Sequence, residues 1–496
     1  MKRIISCCRF VFSESCFLRN NSWVLALLFC CQPIFAQKKP NLLIIIADQW
    51  RGQAMGFIGK EKVKTPFIDS FAKKSLVLTQ MISNYPVCSP ARAMLMTGNY
   101  PFKNKVYSNV NSASAPFGVE LSADAVCWSD VLKKDGYSNG YIGKWHLDSP
   151  HPPYVATSNN EKKVAWNEWT AFDRRHGFDY WYAYGTYDIH DKPMYWDTKD
   201  SRDSFHYVNK WGPEHEADKA IDFFDNKDNV RNANAPFALV VSMNPPHSDY
   251  KTVPKKYLVP YNDVSIDSLL KDPNIPPAQT EMGEEYRKNI KYYYANITGV
   301  DAQISRIIQG LKKDNLLDNT IVLILADHGN CLGKHEETSK NNIYEESLRI
   351  PFIMYWKGHV KARIDTTFLG NIPDIYPSLL EMMGGKKLIP NNIDGTSYAQ
   401  YFKDGTGKVP SEQYIMGAIM SNNAKKNTGF RGIRTADYKL AYLQKKDGTQ
   451  QPFFFNIKKD PFELNNLFNK DDNQIVELKK HLLDWLKKTN DSFTIQ

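Results

Sequence analysis

Cysteine is scarce where this chain has to fold. Of its eight cysteines, Cys7, Cys8, Cys16, Cys30 and Cys31 crowd the first 36 residues, leaving Cys88, Cys127 and Cys331 for the remainder of a 496-residue protein. Three cysteines over such a length make no disulfide framework, so the fold must rest on its core. Beyond residue 36 there is no apolar run long enough to span a bilayer. Internal repeats and low-complexity tracts are absent as well. No basic run carries interleaved aromatics, which excludes a nucleic-acid groove of the usual kind.

The opening segment reads as a targeting sequence. Lys2, Arg3, Arg9 and Arg19 give a basic start, Trp23 to Cys31 forms an apolar run too short for a stable anchor, and Ala36 before Gln37 offers a cleavage point. Residues 1–36 are therefore read as a signal peptide, with a periplasmic or extracellular destination. A lipoprotein anchored through Cys30 or Cys31 is the alternative, disfavoured because Phe29 and Cys30 are not the small residues such a site prefers. Cleavage removes four positive charges and one negative from the formal +9, leaving +6. A mildly basic surface suits an anionic substrate, although an ordinary solvated surface gives the same number. With 42% hydrophobic and 13% aromatic residues the chain can bury a sizeable core.

Four segments read as buried strands: Asn41 to Ala47, Tyr137 to Ile142, Phe237 to Met243 and Ile321 to Ala326. Three of them are short, continuous, Ile- or Val-rich runs of the kind that parallel strands covered on both faces show, and Tyr137 to Ile142 is a weaker fourth. Each delivers polar residues at its carboxyl end: Asp48-Gln49, Gly143-Lys144-Trp145-His146, Asn244-Pro245-Pro246-His247 and Asp327-His328. In open α/β sheets ligands bind at that edge. Helical periodicity runs over Glu285 to Leu311 and, more briefly, Ala217 to Phe224. From about Glu412 the pattern turns to antiparallel strands (Phe430 to Leu443, Pro452 to Ile457) and a closing helix, Leu478 to Lys487. The expected organisation is an α/β catalytic domain over 37–411 and a smaller α+β subdomain over 412–496.

The sharpest motif is Cys88-Ser89-Pro90-Ala91-Arg92 followed by Thr97-Gly98. It resembles the signature of the formylglycine-dependent (type I) sulfatases of the alkaline phosphatase superfamily, Cys-x-Pro-x-Arg with Thr-Gly five residues on. The plain alternative is a loop cysteine before a helix that Pro90 initiates. The resemblance extends to the ending Tyr438-Lys439 and Asp460-Pro461-Phe462-Glu463, common in secreted bacterial carbohydrate sulfatases. It implies a central mixed sheet flanked by helices, with the small subdomain behind. It also implies that a separate maturation enzyme oxidises Cys88 to formylglycine (3-oxoalanine). The hydrated aldehyde has two geminal hydroxyls. One attacks sulfur, and deprotonation of the other then expels sulfate, an exit that a serine sulfate ester lacks.

The same resemblance assigns Asp48, Gln49, Asp327 and His328 to a divalent metal, with modified Cys88 adding an oxygen. Such a site suits calcium first, then magnesium or another divalent ion. Gln49 and His328 depart from the commonest family pattern, which leaves only two carboxylates. Arg92 would hold the hydrate, Lys144 a sulfate oxygen and His146 the proton removed in the second step. His247 would serve the leaving alcohol, and Lys340 would neutralise charge on it. For the leaving group the stretch Trp166 to Trp211 is rich in sugar-binding residue types, and Arg174, Arg175, Asp188, His190 and Asp197 are its candidates. The expected substrate is a sulfated saccharide, with no nucleic-acid partner and no stable membrane span. Two other readings stand beside this one: a phosphonate monoester or phosphodiester hydrolase of the same superfamily, and a sulfated-glycan-binding protein whose Cys88 is never converted.

Overall fold

The four segments read as buried strands all become strands of one sheet. The computed structural model describes residues 38–420, 422 and 427–496; the signal peptide read over 1–36 lies outside them. The sheet strands in chain order are β1 (Asn41–Ala47), β2 (Leu76–Leu78), β3 (Ser138–Lys144), β4 (Tyr180–Tyr184), β5 (Met194–Asp197), β6 (His206–Tyr207), β7 (Phe237–Met243), β8 (Thr320–Ala326), β9 (Phe352–Tyr355) and β10 (Arg363–Asp365). They lie in the order β10-β2-β9-β8-β1-β7-β3-β4-β5-β6. The central five, from β8 to β4, are parallel, and antiparallel pairs flank them. Parallel pairing buries both faces, which is why β1, β7 and β8 are apolar at nearly every position and fully buried.

Parallel register also brings the strand ends level. Ala47 pairs with Met243 of β7 and Ala326 of β8, so the next residues of all three strands emerge together at one edge. β3 runs two residues further than its sequence pattern predicts, and Lys144 is its last residue. Gly143 makes this feasible. Its φ is +91°, and a Cβ there would sit 2.2 Å from the Ser242 carbonyl oxygen, so only glycine lets β3 end hard against β7.

Helices cover the sheet. The longest, Glu281–Lys313, is capped by the Thr280 side chain, which accepts from the Gly283 N–H, and it ends on Lys312 and Lys313, where a cation complements the helix dipole. It begins four residues before its predicted start and buries Ile290, Ile297, Val300, Ile304, Ile307 and Leu311. The helix predicted over Ala217 to Phe224 starts earlier, at Gly212. Among the described residues no helix is long and apolar enough to cross a membrane.

A second sheet, fully antiparallel, comprises β11 (Glu412–Gly417), β12 (Gly429–Thr435), β13 (Tyr438–Gln444) and β14 (Gln450–Asn456). Its side chains alternate between two layers. Tyr414, Ile433, Leu440 and Phe454 join the main core, where the helix Asn473–Lys488 contributes Ile475, Leu478, Leu482 and Leu486. Ile415, Phe430, Ala441 and Phe455 instead enclose Ile343 and Leu348, which follow Lys340 in sequence. A buried ionic cluster fixes this second layer. Lys439 Nζ lies 2.9 Å from Glu345, 2.5 Å from Glu463 and 2.7 Å from the Ile343 carbonyl, and Arg434 pairs with Glu345 at 2.9 Å. Lys439→Met should therefore leave Glu345 and Glu463 short of a buried counter-charge and lower stability by about 3–5 kcal/mol. Denaturant unfolding monitored by circular dichroism checks this, and a loss under 1 kcal/mol would contradict the role given to the lysine.

Candidate active site

The helix Cys88–Thr97 points its first turn at the carboxyl edge of the sheet. Val87 is its extended N-cap and Gly98, at φ +65°, closes it with its N–H on the Met94 carbonyl. Pro90 thus sits in the first turn, but the helix begins two residues before it, at Cys88 itself. Cys88 is buried, and its Sγ lies 3.7 Å from Asp48 Oδ1, 3.3 Å from His328 Nε2 and 3.2 Å from Lys340 Nζ. One turn on, Arg92 enters the same cluster. Its guanidinium donates to Asp327 Oδ2 (3.0 Å), Asp48 Oδ2 (3.2 Å), Ser242 Oγ (2.7 Å) and the Lys144 carbonyl (2.7 Å). Four remote segments, β1, β3, β7 and β8, therefore meet the 88–97 helix.

The donor set fits a divalent cation. Asp48, Cys88, Asp327 and His328 each offer a ligand atom, and these atoms all lie within 4.8 Å of one another. His328 Nδ1 is 2.9 Å from the Gly329 carbonyl, which can only accept, so Nδ1 carries a proton and Nε2 is the ring atom directed at the carboxylates. Gln49 is beside this group but engaged otherwise: its Oε1 accepts from Lys340 Nζ (2.8 Å) and its Nε2 donates to Tyr250 Oη (3.0 Å).

Charge balance favours an anion. Arg92, Lys144 and Lys340 stand against two carboxylates. Burial alone would raise the Asp48 carboxyl, but Lys144, His247, Lys340 and His328 hold it well below the usual carboxylate range. Asp327 moves up instead, through burial and the neighbouring Asp48. Burial and Asp48 work to raise the Cys88 thiol, yet Lys340, Lys144 and His328 together bring it well down. Lys144 Nζ is 2.7 Å from Asp48 Oδ2 and donates to Asn244 Oδ1 at 2.9 Å.

His146 has a defined tautomer. Its Nε2 faces the Val110 carbonyl at 3.1 Å and so carries the proton, while Nδ1 is buried without a partner. Burial lowers its basicity. His247 donates Nδ1–H to the Ser248 carbonyl at 2.8 Å and lies 3.5 Å from Asp188 Oδ1. Thus Asp48, Gln49, Cys88, Arg92, Lys144, Asp327, His328 and Lys340 are joined by direct contacts, and His146 and His247 border them.

The leaving-group candidates divide. Asp188 and His190 contact Asn244, at 3.2 and 3.0 Å. Arg174 turns instead to Asp148 (2.5 Å) and the Leu121 carbonyl (2.6 Å). Arg175 is buried over Phe172 and Trp181 and donates to the Thr198 carbonyl. Asp197 lines a separate cavity of about 560 Å³ with Asp179, Lys199 and Asp222. Aromatic-rich composition could not separate these cases, because the same residue types build a packed insertion.

Three residues escaped the sequence reading. Asn244 and Ser242 stand at the end of β7, so the strand-edge rule that found His247 contained their signal. Ser89 occupies a variable position of the motif, yet its Oγ donates to the His146 carbonyl (2.8 Å) and accepts from the Val110 N–H (3.1 Å); only the fold reveals that.

Comparisons with known proteins agree with this geometry. The family model described as Sulfatase matches residues 40–385, and that of the C-terminal region of N-sulphoglucosamine sulphohydrolase matches residues 333–491. An endo-4-O-sulfatase of Bacteroides thetaiotaomicron is 36% identical, over 91% of this chain and 92% of its own. An ulvan-active sulfatase of Formosa agariphila is 31% identical, over 92% and 82% respectively. A solved structure of the sulfatase candidate yidJ from Bacteroides fragilis is 50% identical with a TM-score of 0.86, covering 91% of this chain and 96% of that one.

A divalent cation should bind this cluster and raise the melting temperature, since a ligand held only by the native state adds about 2.7 kcal/mol at a hundred times its Kd. Calorimetric titration of the chelator-treated protein with calcium is expected to give one strong site, lost in Asp327→Asn. An unchanged isotherm in that variant would place the ion elsewhere.

Proposed function

The chain belongs to the sulfatase family, and from that premise we propose that it is an exported enzyme removing sulfate from a saccharide through an oxidised Cys88 beside a divalent metal. Its reaction class is sulfate ester hydrolysis on glycans, as the sulfatase relatives indicate. The observation that carries the finer reading is the convergence of the Cys88 side chain with Asp48, Asp327 and His328 within 4.8 Å, under three cationic side chains.

In this reading Asp48, Asp327 and His328, with Gln49 beside them, hold the metal, which supplies a Lewis acid and favours the ionised nucleophile. Calcium is the first choice. The residue-88 side chain, as a hydrated aldehyde, supplies one hydroxyl for attack and a second for release of sulfate. The chain's own groups do the rest. Arg92 orients the nucleophile while pinning both metal-binding carboxylates. Lys144, which is buried, and Lys340, which is partly exposed, neutralise the sulfate oxygens. His146 turns an unprotonated Nδ1 toward the cluster and is placed to take the proton that collapse of the hydrate releases. His247, with Nδ1–H held by Ser248 and Asp188 alongside, serves the leaving oxygen through Nε2. Residues 37–411 carry these groups, and residues 412–496 brace the Lys340 loop from behind.

The substrate is a sulfated carbohydrate, in keeping with the endo-4-O-sulfatase and ulvan-active relatives. Sulfate release over a panel of 4-O-sulfated glycosaminoglycan oligosaccharides, ulvan fragments and 6-O-sulfated N-acetylglucosamine tests this, with an aryl phosphonate as the competing substrate. Faster turnover of the phosphonate would overturn it. Mass spectrometry of the Cys88 peptide, from a host with a maturation enzyme, should show the aldehyde in place of the thiol. Cys88→Ala is expected to abolish turnover. Lys144→Ala and His247→Ala should each lower kcat by about 10²–10⁴ while the circular dichroism spectrum is retained.

A further inference from the structure

Three metal-ligating side chains meet away from the Cys88 cluster, where the helix Trp128–Lys134 starts. Cys127 is its N-cap, Asp130 lies in its first turn, and His176 comes from the loop before β4. One donor atom from each lies within 4.8 Å of the other two: the thiol, a carboxylate oxygen and an imidazole nitrogen. At metal–ligand lengths of about 2.0–2.3 Å, two donors on one zinc ion are up to about 4.6 Å apart, so a small contraction closes the set. His176 Nδ1 is already 3.5 Å from Asp130 Oδ2, about the edge of a tetrahedron with those lengths.

Helix capping explains only one member of this group. The Asp130 carboxylate accepts the Cys127 N–H at 2.9 Å, an ordinary first-turn role. That role gives no reason for a fully buried thiol to face it. Nor does it account for the His176 side chain, which is 3% exposed and makes no hydrogen bond to any described residue. Polar atoms so enclosed are normally paired. The carboxylate, 25% exposed, leaves an entry path from solvent.

Both arms of the cluster are held in place. Asn139 Nδ2 donates to the Ser129 carbonyl (2.8 Å) and to the Gly177 carbonyl (3.1 Å), bridging helix and loop. Gly177 has φ +77°, and a Cβ there would sit 2.9 Å from the Ser129 carbonyl oxygen. Only glycine lets the loop press so closely on the helix start. The donor types then select the ion. A thiolate with an imidazole and a carboxylate suits zinc rather than calcium. Thiolate and carboxylate together balance a double positive charge, so the occupied site is neutral, as burial favours.

We infer that Cys127, Asp130 and His176 form a second metal site, which takes zinc with a water as fourth ligand and clamps the loop before β4 to the helix Trp128–Lys134. Without the ion, burial and Asp130 push the Cys127 thiol well above its ordinary range. Binding therefore forms a metal–sulfur bond and releases the thiol proton to solvent. The ion touches no reacting atom. The His176 ring is 6.2 Å from that of Trp145, the residue between Lys144 and His146, so the clamp lies behind the strand end that carries both.

Cobalt(II) reports on such a site, because a thiolate ligand gives it a charge-transfer band in the near ultraviolet. The mature Cys88→Ala protein, saturated with calcium, has no thiol at the catalytic cluster and an intact second site. It is expected to bind cobalt with this band, and zinc should displace the cobalt and abolish the band. Adding Cys127→Ser or His176→Gln should remove the band and weaken zinc binding at least tenfold. The absence of a band in Cys88→Ala overturns the inference. So does a band that survives either replacement, which would move the thiolate to Cys331 or leave the imidazole without a role. Should those two variants fail to fold, X-ray absorption at the zinc edge of the Cys88→Ala protein decides. One sulfur at about 2.3 Å is expected, and a shell without sulfur overturns the inference.

Discussion

The Arg92 guanidinium is the contact on which the site depends. Through five N–H donors in a fixed fork it reaches groups at the ends of four adjacent parallel strands: Asp48 after β1, Asp327 after β8, Lys144 on β3 and Ser242 on β7. Hydrogen bonds between charged groups are worth about 1.5–3 kcal/mol each, but burying the charges offsets much of that gain. What the arrangement secures is position. Two carboxylates would repel in a dry interior, and the guanidinium between them keeps both ionisable groups aimed at one point. Because Arg92 lies one turn beyond Cys88, the same side chain sets the distance from residue 88 to the strand edge.

A second anchoring system acts from behind. Lys340 reaches the cluster from a loop whose next residue, Asn341, donates its N–H to the Pro86 carbonyl and accepts the Ala418 N–H. Further along, Glu345 is gripped by Arg434 and Lys439, and its own N–H is taken by Glu463. The ending Tyr438-Lys439 with Asp460 to Glu463 thus has a mechanical meaning. It supplies the buried charges that hold the Lys340 segment against the antiparallel sheet, and it touches no reacting atom.

The parallel strands and their polar ends were legible because strands buried on both faces read as short, continuous, β-branched-rich apolar runs. β1 and β7 begin and end where the apolar runs do. The placement of Asp48 and Asp327 together at the strand edge was legible for the same reason. Ser89 was not, since its hydroxyl serves a carbonyl 57 residues away. Nor could Arg175 be told from Asp188 in the aromatic insertion. The difference between a guanidinium stacked on Trp181 and a carboxylate beside His247 lies in tertiary packing, which composition does not encode. The length of β3 was missed because Gly143 looks like a strand breaker, whereas close approach to β7 requires it.

Backbone conformation carries the last step of the argument. Gln49 and His146, each just past a strand end, have φ of +69° and +57°, a region that costs a residue with a Cβ about 1–3 kcal/mol when the surroundings impose it. Both are over-determined. The Tyr293 hydroxyl donates to the Gln49 carbonyl at 2.9 Å, and Ser89 Oγ holds that of His146. Glycine would relax either position but would remove the amide that receives Lys340 or the imidazole whose Nδ1 is buried without a partner. The chain keeps a strained residue at the two places where a side chain must turn back toward the strand edge. A binding surface for sulfated glycans has no need of such placement, whereas a reaction at one fixed point does.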